Sequence, residues 1–273
     1  MAGLGPDGAG ARRLPGGVTV VTGARVTAVW LDRPEVRNAQ TFSTWASLAE
    51  VCATIPNSCQ VVLLRATGPD FSAGLDLRQL RPDGTDEGSV PALLAGSDGQ
   101  VEAAIARFQE AFIGWRRLPA VVVAVVQGRA IGAGLQLALA ADLRVVSADV
   151  ALVAAESRLG LVPDLGGTMR LVELVGYPTA LDLCLTARPV GAEEAVRLSL
   201  ASRRAEPDAL DAGVDALVAE LLALPLAVSQ ATKQLLARAS GQFEEEQLAA
   251  ERETQVSLLR AAHTVTGRWG ATF

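Results

Sequence analysis

The chain has 273 residues, half of them apolar and a fifth charged, and carries a net charge of −6 with one lysine, Lys233. A chain of this length and apolar content buries a substantial core, and its acidic balance argues against non-specific binding to nucleic acid. The longest purely apolar run, 120–126, is too short to span a bilayer, and Cys52, Cys59 and Cys184 make neither a CxxC pair nor an even disulfide set, so the expected setting is a reducing cytoplasm.

Taken in chain order, residues 1–17 lack the apolar stretch of a signal peptide and read as a frayed tail. The β-branched runs 18–21 and 26–31, separated by Thr22-Gly23-Ala24-Arg25, predict a hairpin. Helical apolar spacing follows over 43–55, then a short strand at 61–66 that ends in Thr67-Gly68-Pro69-Asp70. Residues 81–100, rich in Gly, Asp, Pro and Ser, predict a mobile loop. Helical spacing returns at 101–115, and 121–126 is a continuous apolar strand of the kind buried on both faces. Further strands are expected at 143–146 and 151–153. From Met169 onward helix formers dominate, with breaks near Pro178, Pro189, Pro207 and Pro225. Strands joined by helices predict an α/β core, and the helical final third predicts a separate layer or an oligomer contact.

Familiar catalytic sets are missing. The only histidine, His263, reads as a helix-surface residue, so a Ser-His-Asp or Cys-His arrangement would have to be built around it. No Walker-type phosphate loop precedes Lys233, and three scattered cysteines with one histidine offer no metal cluster. Carboxylates and backbone N–H groups remain. Two glycine-containing turns, FSAGLDL (71–77) and AIGAGLQL (130–137), each follow the carboxyl end of a strand, where open α/β sheets bind ligands. N–H groups converging there would form an oxyanion hole for charge developing on a carbonyl oxygen, although two ordinary strand-to-helix turns would have the same spacing. The second turn also carries Gln136, a lone amide in apolar surroundings that needs partners or costs stability.

The segments LDRPEVRNA (31–39), FSAGLDL (71–77), AIGAGLQLALAADLRV (130–145), RLGLVPDLGGTMRL (158–171) and TARPVGAEEAVRLSL (186–200) occur in the order seen in the crotonase, or enoyl-CoA hydratase/isomerase, superfamily, and the chain resembles it over residues 17–262. The resemblance implies an α/β fold: a crotonase-like spiral of ββα units with a helical C-terminal trimerisation region. On this division residues 1–200 form the acyl-CoA-binding core and 201–273 the helical oligomerisation region. It further implies a homotrimer or homohexamer with no nucleic-acid or membrane partner, and no metal or cofactor beyond the coenzyme A of the substrate.

By the same resemblance, the thioester oxygen would sit between the N–H groups of Leu75 and Ala133, which the small residues at 132–134 leave within reach. Ala133 stands where the family usually has glycine. The family hydratases use two glutamates twenty positions apart; the second position here is Glu156 and the first is Gln136. An amide can orient water but cannot accept its proton at neutral pH. Members that move a double bond keep only the second glutamate, matching Glu156, and others place an aspartate eight residues further on, matching Asp164. The expected activity is therefore double-bond isomerisation through an enolate, with Glu156 as proton shuttle helped by Asp164. The alternatives are a hydratase in which Gln136 orients water and a catalytically silent acyl-CoA binder. Outside catalysis, Glu156 would be a loop residue paired with Arg158, and Asp164 a cap for the segment near Gly166. Coenzyme A contacts are expected from Arg37, Ala73, Asp76 and Arg78, with Asp76 also holding its loop by side-chain-to-backbone hydrogen bonds. Leu93, Leu94 and Phe108 are expected to line the acyl tunnel.

Overall fold

A computed structural model describes residues 4–81, 88–239, 241 and 243–266 of the chain, the side chains of 262–266 excepted. The expected hairpin is present: β2 (Val18–Thr22) runs antiparallel to β3 (Val26–Leu31), and the Gly23 N–H closes the turn on the Val26 carbonyl at 2.8 Å. The described part of the N-terminal segment is not frayed. Residues Arg12–Leu14 form β1, antiparallel to β2, and the Trp30 indole donates to the Leu4 carbonyl at 2.9 Å. Two arginines hid this edge strand, because its apolar partners come from β2 and not from itself.

Helix α1 (Phe42–Thr54) opens on a reciprocal cap between Thr41 and Thr44. Strand β4 (Val61–Ala66) then pairs parallel to β3. The loop expected over 81–100 is largely helical where it is described, and 82–87 lie outside the described residues. Helix α2 (Val90–Leu94) starts on a Ser89 cap and α3 (Asp98–Arg117) on a Ser97–Gln100 cap, so the polar residues there mark helix starts. Strand β5 (Val121–Val126) lies between β4 and β7 (Leu143–Ser147), all parallel. The short β6 (Arg129–Ile131) precedes helix α4 (Ala133–Ala140) and pairs with β8 (Ala151–Val153) as a separate two-stranded sheet.

Helix α5 (Gly167–Thr186) bends at Gly176, just before Pro178. Helix α6 (Ala192–Arg197) follows, and then strand β9 (Arg203–Ala205), which pairs with β7 at the edge of the main sheet and was hidden by its length and charge. The described residues close with α7 (Leu210–Ala223), α8 (Leu226–Ala239) and α9 (Glu244–Thr266). His263 falls in α9, and its side chain lies outside the described residues.

Among the described residues the main sheet has seven strands in the order β1-β2-β3-β4-β5-β7-β9. Its alternation divides the core. Val62, Leu64, Val122 and Ala124 face the layer that contains α1, α3, α4 and α5. Val61, Leu63, Val123 and Val125 face Leu210, Val214, Leu217 and Val218 of α7. Lys233 docks α8 on this body: its ammonium lies 2.7 Å from the Asp142 carboxylate and donates to the Ala120 carbonyl at 2.8 Å. Among the described residues no single helix is long and apolar enough to cross a membrane.

Candidate active site

Three segments meet past the carboxyl ends of β3, β4 and β5, and backbone hydrogen bonds stitch them together. Ala73 donates to Arg37 at 2.9 Å, Gln40 to Gly74 at 2.7 Å and Asp76 to Gln40 at 2.8 Å; on the other side Ser72 donates to Arg129 at 2.9 Å and Ile131 to Ser72 at 3.0 Å. The buried Ser72 hydroxyl is the hub. It donates to the Asn38 carbonyl at 2.7 Å and accepts from the Gly74 N–H and from Gln40 Nε2, each at 3.1 Å. Sequence reasoning missed Asn38, Gln40 and Ser72; three buried polar side chains set among quoted motifs were the available signal.

This stitching leaves some amides over, those of Leu75 and Ala133 among them. The Gly74 and Asp76 N–H groups are occupied by Ser72 and Gln40, and the Gly132 N–H by the Val153 carbonyl at 2.9 Å. Among the described residues, the N–H groups of Leu75 and Ala133 meet no acceptor, and both residues line one cavity of about 270 Å³. Ala133 is the first residue of α4, where an unpaired N–H is inherent and the helix dipole favours negative charge. Gly74, at φ +86°, has no room for a Cβ against the Ile131 carbonyl, so the two turns touch only because it is glycine.

Gln136, Glu156 and Asp164 line the same cavity. Gln136 Nε2 donates to Glu156 Oε1 at 2.7 Å, while its own carbonyl oxygen accepts the N–H groups of Leu165 at 2.9 Å and Gly167 at 3.1 Å. Burial pushes the Glu156 carboxyl above its ordinary range; the Gln136 hydrogen bond opposes that rise, and the Asp164 charge adds to it. The Asp164 carboxyl is also raised by burial, although the residue stays accessible from the cavity. Neither structural alternative is found among the described residues. Arg158 donates to the Ala187 carbonyl at 2.6 Å instead of pairing with Glu156. Helix α5 begins on Gly166 in the left-handed region, with no side-chain cap from Asp164.

Of the residues expected at the nucleotide, Ala73 alone lines the cavity. Arg37 is exposed, 3.7 Å from the Asp70 carboxylate. Asp76 is buried outside the cavity lining: it caps the turn at 77–80 through the Arg78 N–H, holds the Arg78 guanidinium at 2.6 Å and lies 3.6 Å from Arg33. These bonds hold its carboxyl below the usual range. Leu93, Leu94 and Phe108 do not line the cavity; Phe108 stacks on Phe42 at 4.6 Å and meets Trp45 at a tilt at 4.9 Å, while Leu94 is exposed. The apolar wall comes instead from Trp45, Leu77, Leu159, Leu161, Val162 and Leu165. Among the described residues no group of His, Cys, Asp and Glu side chains could hold a metal ion.

With this geometry in view, the chain can be set beside known proteins. The profile of the enoyl-CoA hydratase/isomerase family matches residues 22–270. The short-chain-enoyl-CoA hydratase of Clostridium acetobutylicum is 31% identical over 189 residues, which cover 68% of this chain and 67% of that protein. The human mitochondrial Δ(3,5)-Δ(2,4)-dienoyl-CoA isomerase is 33% identical over 219 residues, 76% of this chain and 64% of the isomerase. A Thermobifida fusca YX protein described as an enoyl-CoA hydratase, solved in complex with acetoacetyl-CoA, superposes with a TM-score of 0.86 at 43% identity, covering 90% of this chain and 96% of that one.

Proposed function

The chain belongs to the enoyl-CoA hydratase/isomerase family and has its spiral of ββα units with a helical C-terminal region, and from this premise we propose that it moves a carbon–carbon double bond in an acyl-CoA thioester. One observation carries the reading: two amides without acceptors, Leu75 and Ala133, share a largely apolar cavity with a buried carboxylate, Glu156. Two N–H groups aimed at a thioester oxygen stabilise the charge that arrives there when a proton leaves the adjacent carbon. Glu156 takes that proton from C2 of a 3-enoyl-CoA, the electron pair spreads to the thioester oxygen and C4, and the proton returns at C4 to give the 2-enoyl-CoA. Asp164, the second carboxyl in the cavity, assists the transfer. Arg37, Ala73 and Arg78 are proposed to meet the coenzyme A moiety, with Asp76 holding the turn at 77–80, and no cofactor is required.

The protein is proposed to act in the cytoplasm, in keeping with its three free thiols, as a homotrimer or homohexamer assembled through residues after about 200. A second reading, hydration of a 2-enoyl-CoA, is favoured by the position of Gln136 beside Glu156 in the cavity, where its amide could orient water. The test is to incubate the purified protein with 2-enoyl- and 3-enoyl-CoA thioesters of several lengths and follow hydration and isomerisation separately. Faster conversion of the 3-enoyl substrates supports isomerisation, faster hydration supports the second reading, and binding without turnover would overturn both.

A further inference from the structure

Gln136 is 4% exposed, and its amide can be placed in only one way. Its oxygen must face the two N–H donors of Leu165 and Gly167, so its nitrogen must face Glu156 Oε1. Gly167 approaches this amide closely, since a Cβ there would lie 2.7 Å from both Cγ and Oε1 of Gln136. On its other side Glu156 Oε1 faces the bare α-carbon of Gly132, where a Cβ would stand at 3.4 Å. Oε1 is therefore boxed in. The second oxygen, Oε2, is buried and meets no hydrogen-bond partner among the described residues.

We propose that Gln136 is a positioning residue, which pins Glu156 Oε1 and the backbone next to Asp164 through one amide and so fixes the orientation of the carboxyl group that takes and returns the substrate proton. This rests on the reading of Glu156 as proton shuttle and deepens it. An unpinned carboxylate in an apolar cavity can turn either oxygen toward the substrate or away from it, which sacrifices the orientation that proton transfer needs. An amide suits the task better than a carboxylate: it donates to Glu156 while accepting from Leu165 and Gly167, and carries no charge to repel either acid.

The charged and titratable groups around Glu156 are Asp164 from the following loop, Cys184 from α5 and Arg158, whose guanidinium donates to Ala187. The neutral groups that hydrogen-bond the anionic form are the backbone of Glu156 itself and the Gln136 amide. Removing the Gln136 bond disfavours the carboxylate, and a carboxylate put in its place would share one proton with Glu156.

The experiment titrates Glu156 directly, by carbon-13 NMR of glutamate-labelled protein, in the wild type, Gln136→Met and Gln136→Glu, with Glu156→Gln to assign the signal. Gln136→Met should raise the Glu156 titration by roughly one pH unit, the worth of a hydrogen bond to a charged group. Gln136→Glu keeps the acceptor for Leu165 and Gly167, which preserves the fold, and should raise it further. The acid limb of kcat/KM on a 3-enoyl-CoA should move with the titration, kcat should fall about tenfold at neutral pH, and KM should stay, because the Leu75 and Ala133 amides are untouched. A Glu156 titration unchanged in both variants overturns the positioning role, whatever the activity does. Full turnover by Glu156→Gln would sink the shuttle reading instead, and the titration would still report whether Gln136 pins the carboxylate.

Discussion

Gly134 rests on Ser72: a Cβ on Gly134 would stand 2.6 Å from the Ser72 carbonyl oxygen and 2.8 Å from its Cβ. The close approach of the two turns is thus a backbone-to-backbone contact that no side-chain rearrangement can relieve. Gly134→Ala should force the turns apart, with an overpacking cost of about 1–3 kcal/mol. It should lower the melting temperature and reduce kcat/KM on a 3-enoyl-CoA more than it weakens acyl-CoA binding. Thermal unfolding and steady-state kinetics measure both; a variant equal to the wild type in each would show that the contact is not needed.

Ala133 opens α4, a position that accepts proline without breaking the helix. Ala133→Pro deletes an acceptor-free N–H group and sets the ring Cδ where its hydrogen pointed. Turnover should fall by ~10²-fold or more, the loss seen when a single oxyanion donor is removed. Circular dichroism and melting temperature should stay close to wild type, and Ala133→Gly should keep its activity. Undiminished turnover in the proline variant would take the thioester oxygen away from this amide.

The raised carboxyl of Glu156 makes a prediction about stability. Burial, with the Asp164 charge adding to it, lifts the folded-state value above the ordinary 4.5, so between those two values the folded chain holds a proton that the unfolded chain has released. Stability therefore falls as pH rises from about 4.5 through the folded value, and the deficit persists above it. Glu156→Gln removes the buried charge. The variant should match the wild type below pH 4.5 and exceed it increasingly as pH rises, levelling off above the folded value. Denaturant unfolding across that range measures the difference; a gap that did not change with pH would contradict the assignment.

Helices α8 and α9 leave large apolar side chains uncovered, Leu236 at 71% exposure and Val256 at 47% among them. A trimer or hexamer should therefore appear by light scattering at micromolar concentration, and Leu236→Asp should shift it toward smaller species. A monomeric wild type would remove the oligomer from the account.

Legibility in the sequence followed element length and the source of burial. Strands β3, β4 and β5 are six residues each, all apolar or β-branched apart from Arg65, and stood out. Strands β1, β6 and β9 are three residues long and rich in arginine; partner strands define them, and a local pattern cannot. In the site, the positions of Glu156, Leu75 and Ala133 came from the family resemblance, because turns of this kind have no diagnostic spacing. The cavity wall at 159–162 was missed because Leu159, Leu161 and Val162 are exposed apolar residues in a loop, whereas periodicity finds only faces buried along a helix or strand. Gln136 was legible as an anomaly but not in its role, since its three partners at 156, 165 and 167 lie far along the chain.

In the proposed reaction Glu156 carries the substrate proton while the Leu75 and Ala133 amides hold the thioester. Measuring isomerisation of a 3-enoyl-CoA by Glu156→Gln, alongside calorimetric binding of a saturated acyl-CoA to the same protein, tests this assignment most directly. Glutamine keeps the size and the hydrogen bond to Gln136 but cannot exchange a proton. Turnover should drop by at least ~10²-fold while affinity changes little. Isomerisation at the wild-type rate with unchanged binding would contradict the assignment and move the proton to Asp164.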